Sequence, residues 1–93
     1  MSNQKIGNYI QEFFVKKGKF SLFLEQQAVH LWPEAVGEFV ALQTAKISVQ
    51  QGVLYVIIPN AALRFEVMNS RSQIIAKINN KLGGEVIKGI IVK

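Results

Sequence analysis

Ninety-three residues are one domain's worth of chain, enough for a single core and too few for a deep catalytic pocket. Hydrophobic residues make up 49% and charged residues 18%, which excludes a disordered chain; zero Cys excludes a disulfide scaffold, a thiol nucleophile and a thiolate zinc site, and one His with no Asp leaves too few ligands for most metal centres. Eleven Lys and Arg against six Glu leave a net charge of +5 and a pI near 9.8, which points to an acidic partner, nucleic acid first and an anionic membrane second.

No repeat or linker divides the chain, and it reads as a single domain over residues 1–93. Ile6, Tyr9, Ile10, Phe13 and Phe14 fall at offsets 0, 3, 4, 7 and 8, one face of an amphipathic helix within residues 1–19. Lys16 and Lys17 occupy its last turn, and Gly18 is its stop. Ser21 is placed to cap a second helix running to about Leu31, with Leu24, Ala28, Leu31 and Trp32 as its stripe. Pro33 suits the first turn of a third helix, predicted over 33–43. Glu34 and Glu38 lie early in it, at the positive end of the helix dipole. Ala35, Val36, Phe39 and Val40 form its buried side.

At Lys46 the period changes to two. Ile47 and Val49 alternate with Lys46, Ser48 and Gln50, a half-buried strand, and Gln51-Gly52 is a tight turn in which glycine accepts positive φ. Val53 to Ile58 is apolar on both faces and rich in β-branched residues, the mark of a central strand. At six residues it is also the longest apolar run, where a membrane span needs about 20; with no signal peptide at the N-terminus, the chain reads as cytoplasmic and free of the membrane. Pro59 ends the strand and Asn60 caps a long helix over 61–82, which Gly83-Gly84 terminates. Val86 to Val92 is the last strand, with Lys88 and Gly89 interrupting it. The order α, α, α, β, β, α, β gives an α+β fold with a three-stranded mixed sheet. If the last strand pairs with the central one, that pair is parallel and the crossover right-handed.

Catalysis has no foothold. His30 has no Asp to orient it, no pair among Glu12, Glu25, Glu34, Glu38, Glu66 and Glu85 has a shared acid–base spacing, and helix-surface solvation accounts for all six. Lys16, Lys17 and Lys19 form a basic knot among Phe13, Phe14, Phe20 and Phe23. It reads either as a phosphate contact with stacking aromatics or as C-terminal helix cations beside core phenylalanines. Arg71 falls on the apolar stripe of the long helix, four residues after Val67 and three before Ile74, and Arg64 lies seven residues earlier on the same line. Both guanidiniums either face an anion or a partner, or snorkel into ion pairs. Lys77 and Lys81 read as solvated charges. Tyr55 and Ile57 point opposite to Leu54, Val56 and Ile58, and Ile87 and Ile91 opposite to Val86, Ile90 and Val92. If helices cover one face, part of the other is an apolar patch; the partner site is expected on the sheet, with Tyr55 and Ile57, or on the long-helix edge, with Arg71 at its rim or centre, and a second copy of the chain is a candidate to bind through the sheet. The competing arrangement has the N-terminal helix cover it.

Trp32-Pro33-Glu34-Ala35-Val36-Gly37, Leu54-Tyr55-Val56, the run from Asn60 to Arg71 followed by Ile74, Ile75, Ile78, Asn79 and Leu82-Gly83, and Val86-Ile87-Lys88-Gly89-Ile90 carry a resemblance over roughly residues 20–93. In order and spacing they are similar to the bacterial domain of unknown function 721, the family of DciA-like replicative-helicase loaders. The resemblance implies a KH-like domain of type II. It also implies a non-enzymatic adaptor role in bacterial DNA replication, with the replicative helicase and DNA as partners and no cofactor, metal or catalytic residue. Trp32 and Gly37 of the motif take structural roles, one filling the core and one allowing close helix packing. The chain has no Gly-x-x-Gly loop and no basic tail after Lys93. DNA binding is therefore expected to be weak and salt-dependent, through Lys16, Lys17, Lys19, Arg64 and Arg71. The alternative is a general KH-like module for RNA or DNA.

Overall fold

The change of period at Lys46 becomes a hairpin in the structure, a computed structural model that describes residues 19–93 and their side chains from residue 22 onward. Strands β1 (Lys46–Gln50) and β2 (Val53–Ile57) pair antiparallel, with Lys46 opposite Ile57 and Gln50 opposite Val53. The two residues between them, Gln51 at φ 50° and Gly52 at φ 82°, both take the positive φ of a type I′ turn, whose twist matches that of the strands. Strand β3 (Gly89–Val92) pairs parallel with β2, so the sheet order is β1-β2-β3 with β2 central, as its two-sided apolar sequence predicts. The expected N-terminal helix, with Lys16, Lys17, Phe13 and Phe14, lies outside the described residues, as do the side chains of Lys19, Phe20 and Ser21.

Helix α1 (Lys19–His30) packs against β1, and the connection from β2 to β3 passes through α4 (Ala61–Asn69) and α5 (Arg71–Leu82). In the chain, the short helices α2 (Trp32–Val36) and α3 (Glu38–Leu42) connect α1 to β1. Leu54, Val56, Ile58 and Ile90 fill one face of the sheet and meet Ala28, Trp32, Leu63, Val67, Ile74 and Ile78 from the helices in one core. Trp32 is only 2% exposed and donates its indole N–H to Thr44 Oγ1 at 3.1 Å, and that hydroxyl donates to the Val40 carbonyl at 2.8 Å. The polar edge of the ring is thereby satisfied.

Four boundaries depart from the sequence pattern, each for a local reason. Ser21 lies inside α1 and so does not cap it. The helix predicted over 33–43 is two helices, because Gly37 sits at φ 95°, ψ 156°, a conformation no helix contains; its N–H closes α2 on Pro33 O and its carbonyl opens α3 with Ala41 N. An added Cβ at Gly37 would meet nothing within 4 Å, so the glycine serves the backbone turn and not close helix packing. The helix predicted over 61–82 breaks at Ser70 (φ −103°, ψ 8°) into α4 and α5. Asn60 does cap α4, accepting from Leu63 N at 3.0 Å, and Gly83 in the left-handed region does end α5. The last strand begins at Gly89 and not at Val86, since the backbone ahead of it is held elsewhere: Asn79 Oδ1 accepts from Val86 N and Ile87 N, and Asn79 Nδ2 donates to Ile87 O. Ile87 is consequently buried in the core and does not share a face with Ile91.

Candidate functional site

Pleating sends alternate residues of the three strands to opposite sides. The face away from the core carries three cross-strand rows. Tyr55 lies between Ser48 and Ile91, and Val53 between Gln50 and Gly89. The third row follows from two bonds beyond the strand end: Lys93 N donates to Val56 O at 2.9 Å and Lys93 O accepts from Ile58 N at 3.0 Å, which puts Lys93 opposite Ile57. Ile57 therefore stands between Lys46 and Lys93. Ile57 is 42% exposed and Ile91 41%, while Tyr55 is half-buried. Lys46, Ser48, Tyr55, Ile57 and Lys93 line one shallow depression. Tyr55 and Ile57, predicted to share a face, do share one, and none of the described helices covers it; the N-terminal helix expected as the competing cover lies outside the described residues.

The two arginines are not brought together with that face. Arg71 opens α5 in the helix layer, on the other side of the sheet. The break at Ser70 changes the phase of the helix, so Arg71 leaves the stripe of Val67 and Ile74 and is exposed. Among the described residues its guanidinium meets no carboxylate or carbonyl. Arg64, on α4, turns back: its Nη1 donates to Ile58 O at 2.7 Å and to Pro59 O at 3.1 Å, tying the helix to the end of β2. It makes neither an ion pair nor a line with Arg71. His30 is exposed at the end of α1.

Lys81 is not a merely solvated charge. Its Nζ lies 2.8 Å from Glu34 Oε1, joining α5 to α2 across the surface, and the hydrogen bond and charge of Glu34 hold the Lys81 ammonium above the usual lysine range. Glu25 is the other correction. It is 7% exposed, and its Oε2 accepts from Gly52 N at 2.7 Å. Gly52 O in turn accepts from Lys88 N at 2.6 Å, so α1, the hairpin turn and the segment before β3 meet at one glycine. A Cβ there would come within 3.0 Å of Val86 O. Glu25 looks like any helix-surface glutamate in the sequence, and only its place beside Leu24 and three residues before Ala28, at the edge of the apolar stripe, hints otherwise.

Among the described residues no group of three or more His, Asp, Glu or Cys is placed to hold a metal, and no helix is long and apolar enough to cross a membrane. Compared with known protein families, residues 5–92 match the one described as Dna[CI] antecedent, DciA. Among curated proteins none matches the chain.

Proposed function

The chain belongs to the DciA family, and from that premise we propose that it is a non-enzymatic adaptor in bacterial DNA replication that binds the replicative helicase and touches DNA only weakly. The observation that carries this reading is the extent of the family match, which takes in nearly the whole chain, together with a sheet face that none of the described helices covers. An α+β domain with a central β2, a parallel β3 and a helical crossover is compatible with a KH-like domain of type II, and we read it so. The adaptor works in the cytoplasm, where the helicase is.

Two surfaces serve the two partners. The open face, with Tyr55 and Ile57, takes protein, and Arg71 on the helix layer adds a separate anchor. Lys16, Lys17, Lys19 and Arg71 meet phosphates, with Arg64 contributing through the N–H groups not already given to Ile58 O and Pro59 O. Contacts of this kind position a backbone without reading bases. A second copy of the chain is a further candidate for the open face.

The test is direct binding of the purified chain to the purified hexameric helicase of the same bacterium, alongside titration with labelled single- and double-stranded DNA. Helicase binding that survives physiological salt, with DNA binding that falls steeply between low and physiological salt, supports the adaptor. Tight, salt-insensitive nucleic-acid binding without helicase binding would replace it by the general nucleic-acid module.

A further inference from the structure

We propose that the open face of the sheet docks an acidic, apolar helical segment of a partner protein, with Lys46 and Lys93 gripping carboxylates on either side of an apolar contact at Ile57, Tyr55 and Ile91. This rests on the adaptor reading for the existence of a protein partner, and goes beyond it in stating what that partner presents.

The argument is charge complementarity on a defined lattice. Ile57 has Lys46 beside it on β1 and Lys93 beside it on β3. Strands repeat every 4.7–4.9 Å, so the two lysine backbones stand about 10 Å apart with an aliphatic side chain midway. Among the described residues no carboxylate side chain stands on this face and neither lysine has an ion pair. The described glutamates are spent or placed elsewhere: Glu25 on Gly52, Glu34 on Lys81, Glu38 on α3, Glu66 on α4 and Glu85 beyond α5. The face thus presents two unpaired cations around exposed aliphatic area, and its complement is an apolar residue between two anions.

A helix supplies that complement: residues two turns apart are separated by about 10 Å along the axis, with another residue of the same stripe one turn along. The pattern is Glu, an apolar residue three or four positions on, and Glu again. Burial of the apolar residue on Ile57 and Ile91 provides affinity. The lysines at the rim set register and speed encounter, as rim charges do. Single-stranded nucleic acid fits less well, because stacking sites present aromatic faces along a track of cations. This face has one aromatic, Tyr55, and it is half-buried.

The probe is a labelled synthetic helical peptide repeating Glu-x-x-Leu-x-x-x-Glu, titrated with the full chain beside a Gln-for-Glu version and a labelled oligo-dT. The acidic peptide should bind, the Gln version should bind roughly tenfold more weakly, and K46E combined with K93E should lose at least as much. Ile57→Ser should weaken binding of both peptides. Each variant should melt with the wild type, because all three side chains are exposed. Equal binding of the acidic peptide by wild type and K46E/K93E overturns the inference. So does binding of oligo-dT alone with loss of that binding in K46E/K93E, which would make the face a nucleic-acid surface. Helicase binding separates the two levels. If the wild type binds helicase and K46E/K93E binds it equally, the adaptor stands and this inference falls. If the wild type binds no helicase, the adaptor reading falls and the peptide titration alone decides the inference.

Discussion

The two faces of the sheet are built from the same three strands, and they differ in what packs against each. On the covered face Leu54, Val56, Ile58 and Ile90 are sealed under helices and share a core with Trp32. On the open face Ile57, between two lysines, and Ile91, beside Tyr55, keep about two-fifths of their surface in water. Both faces carry aliphatic side chains of β2 and β3, so hydrophobicity alone does not tell stability from recognition. Whether a neighbouring element covers the residue does. Substitutions on the covered side should therefore cost folding, and those on the open side should cost binding.

The largest expected effect is at Trp32. Replacing it by Ala removes a 2% exposed indole and should cost about 3–5 kcal/mol, a large share of a total near 5–15, read as a fall in melting temperature. An unchanged melting temperature would break the contrast at its strongest point. Gly52→Ala should follow at roughly 2–3 kcal/mol in chemical denaturation, since an L side chain at φ 82° is strained and its Cβ would press on Val86 O at 3.0 Å. Glu25→Ala strands a buried N–H and should cost about 1–3 kcal/mol, while Glu25→Gln keeps an acceptor and should cost less. Equal losses in the two variants would mean that the charge, and not the hydrogen bond, holds the turn.

The sheet, the cap at Asn60, the stop at Gly83 and the turn at Gly52 were legible in the sequence because each depends on residues within a few positions. Period two needs only neighbours, and a cap needs one side chain and an N–H three residues on. What was not legible depends on distance along the chain. Glu25 meets Gly52 across 27 positions, and Asn79 reaches Val86 and Ile87 over a loop. Neither residue type announces such a contact. The phase of Arg71 was misread for a related reason: helical periodicity assumes an unbroken helix, and Ser70, an ordinary helix residue by composition, interrupts it. The open face was recognisable as a possibility from strand alternation, and the two-residue turn sets Lys46 opposite Ile57, but Lys93 was not legible there, because it joins Ile57 only through pairing of strands remote in sequence.

Smaller effects sharpen the comparison from the other side. Arg71→Ala should leave the melting curve within about 0.5 kcal/mol and weaken helicase binding by about 1–3 kcal/mol. Loss of stability with affinity per folded molecule unchanged would end its role as an anchor. Smallest of all is Lys81→Met. Its pairing with Glu34 raises the folded-state pKa of Lys81, so the contribution is fully present below the ordinary lysine value of 10.5 and is lost only as the pH climbs above it. Melting followed across the neutral range should show no slope from this pair.

The junction at Gly52 has a consequence for the order in which the molecule opens. Its N–H is held by helix α1 and its carbonyl by the segment that leads into β3, so two pieces of chain remote in sequence must both let go before that peptide is free. Local fraying of any one element leaves the other tether in place. In hydrogen–deuterium exchange the Gly52 amide should be among the slowest of the loop amides. Its exchange should track global unfolding, although a two-residue hairpin turn is ordinarily one of the first places where solvent enters.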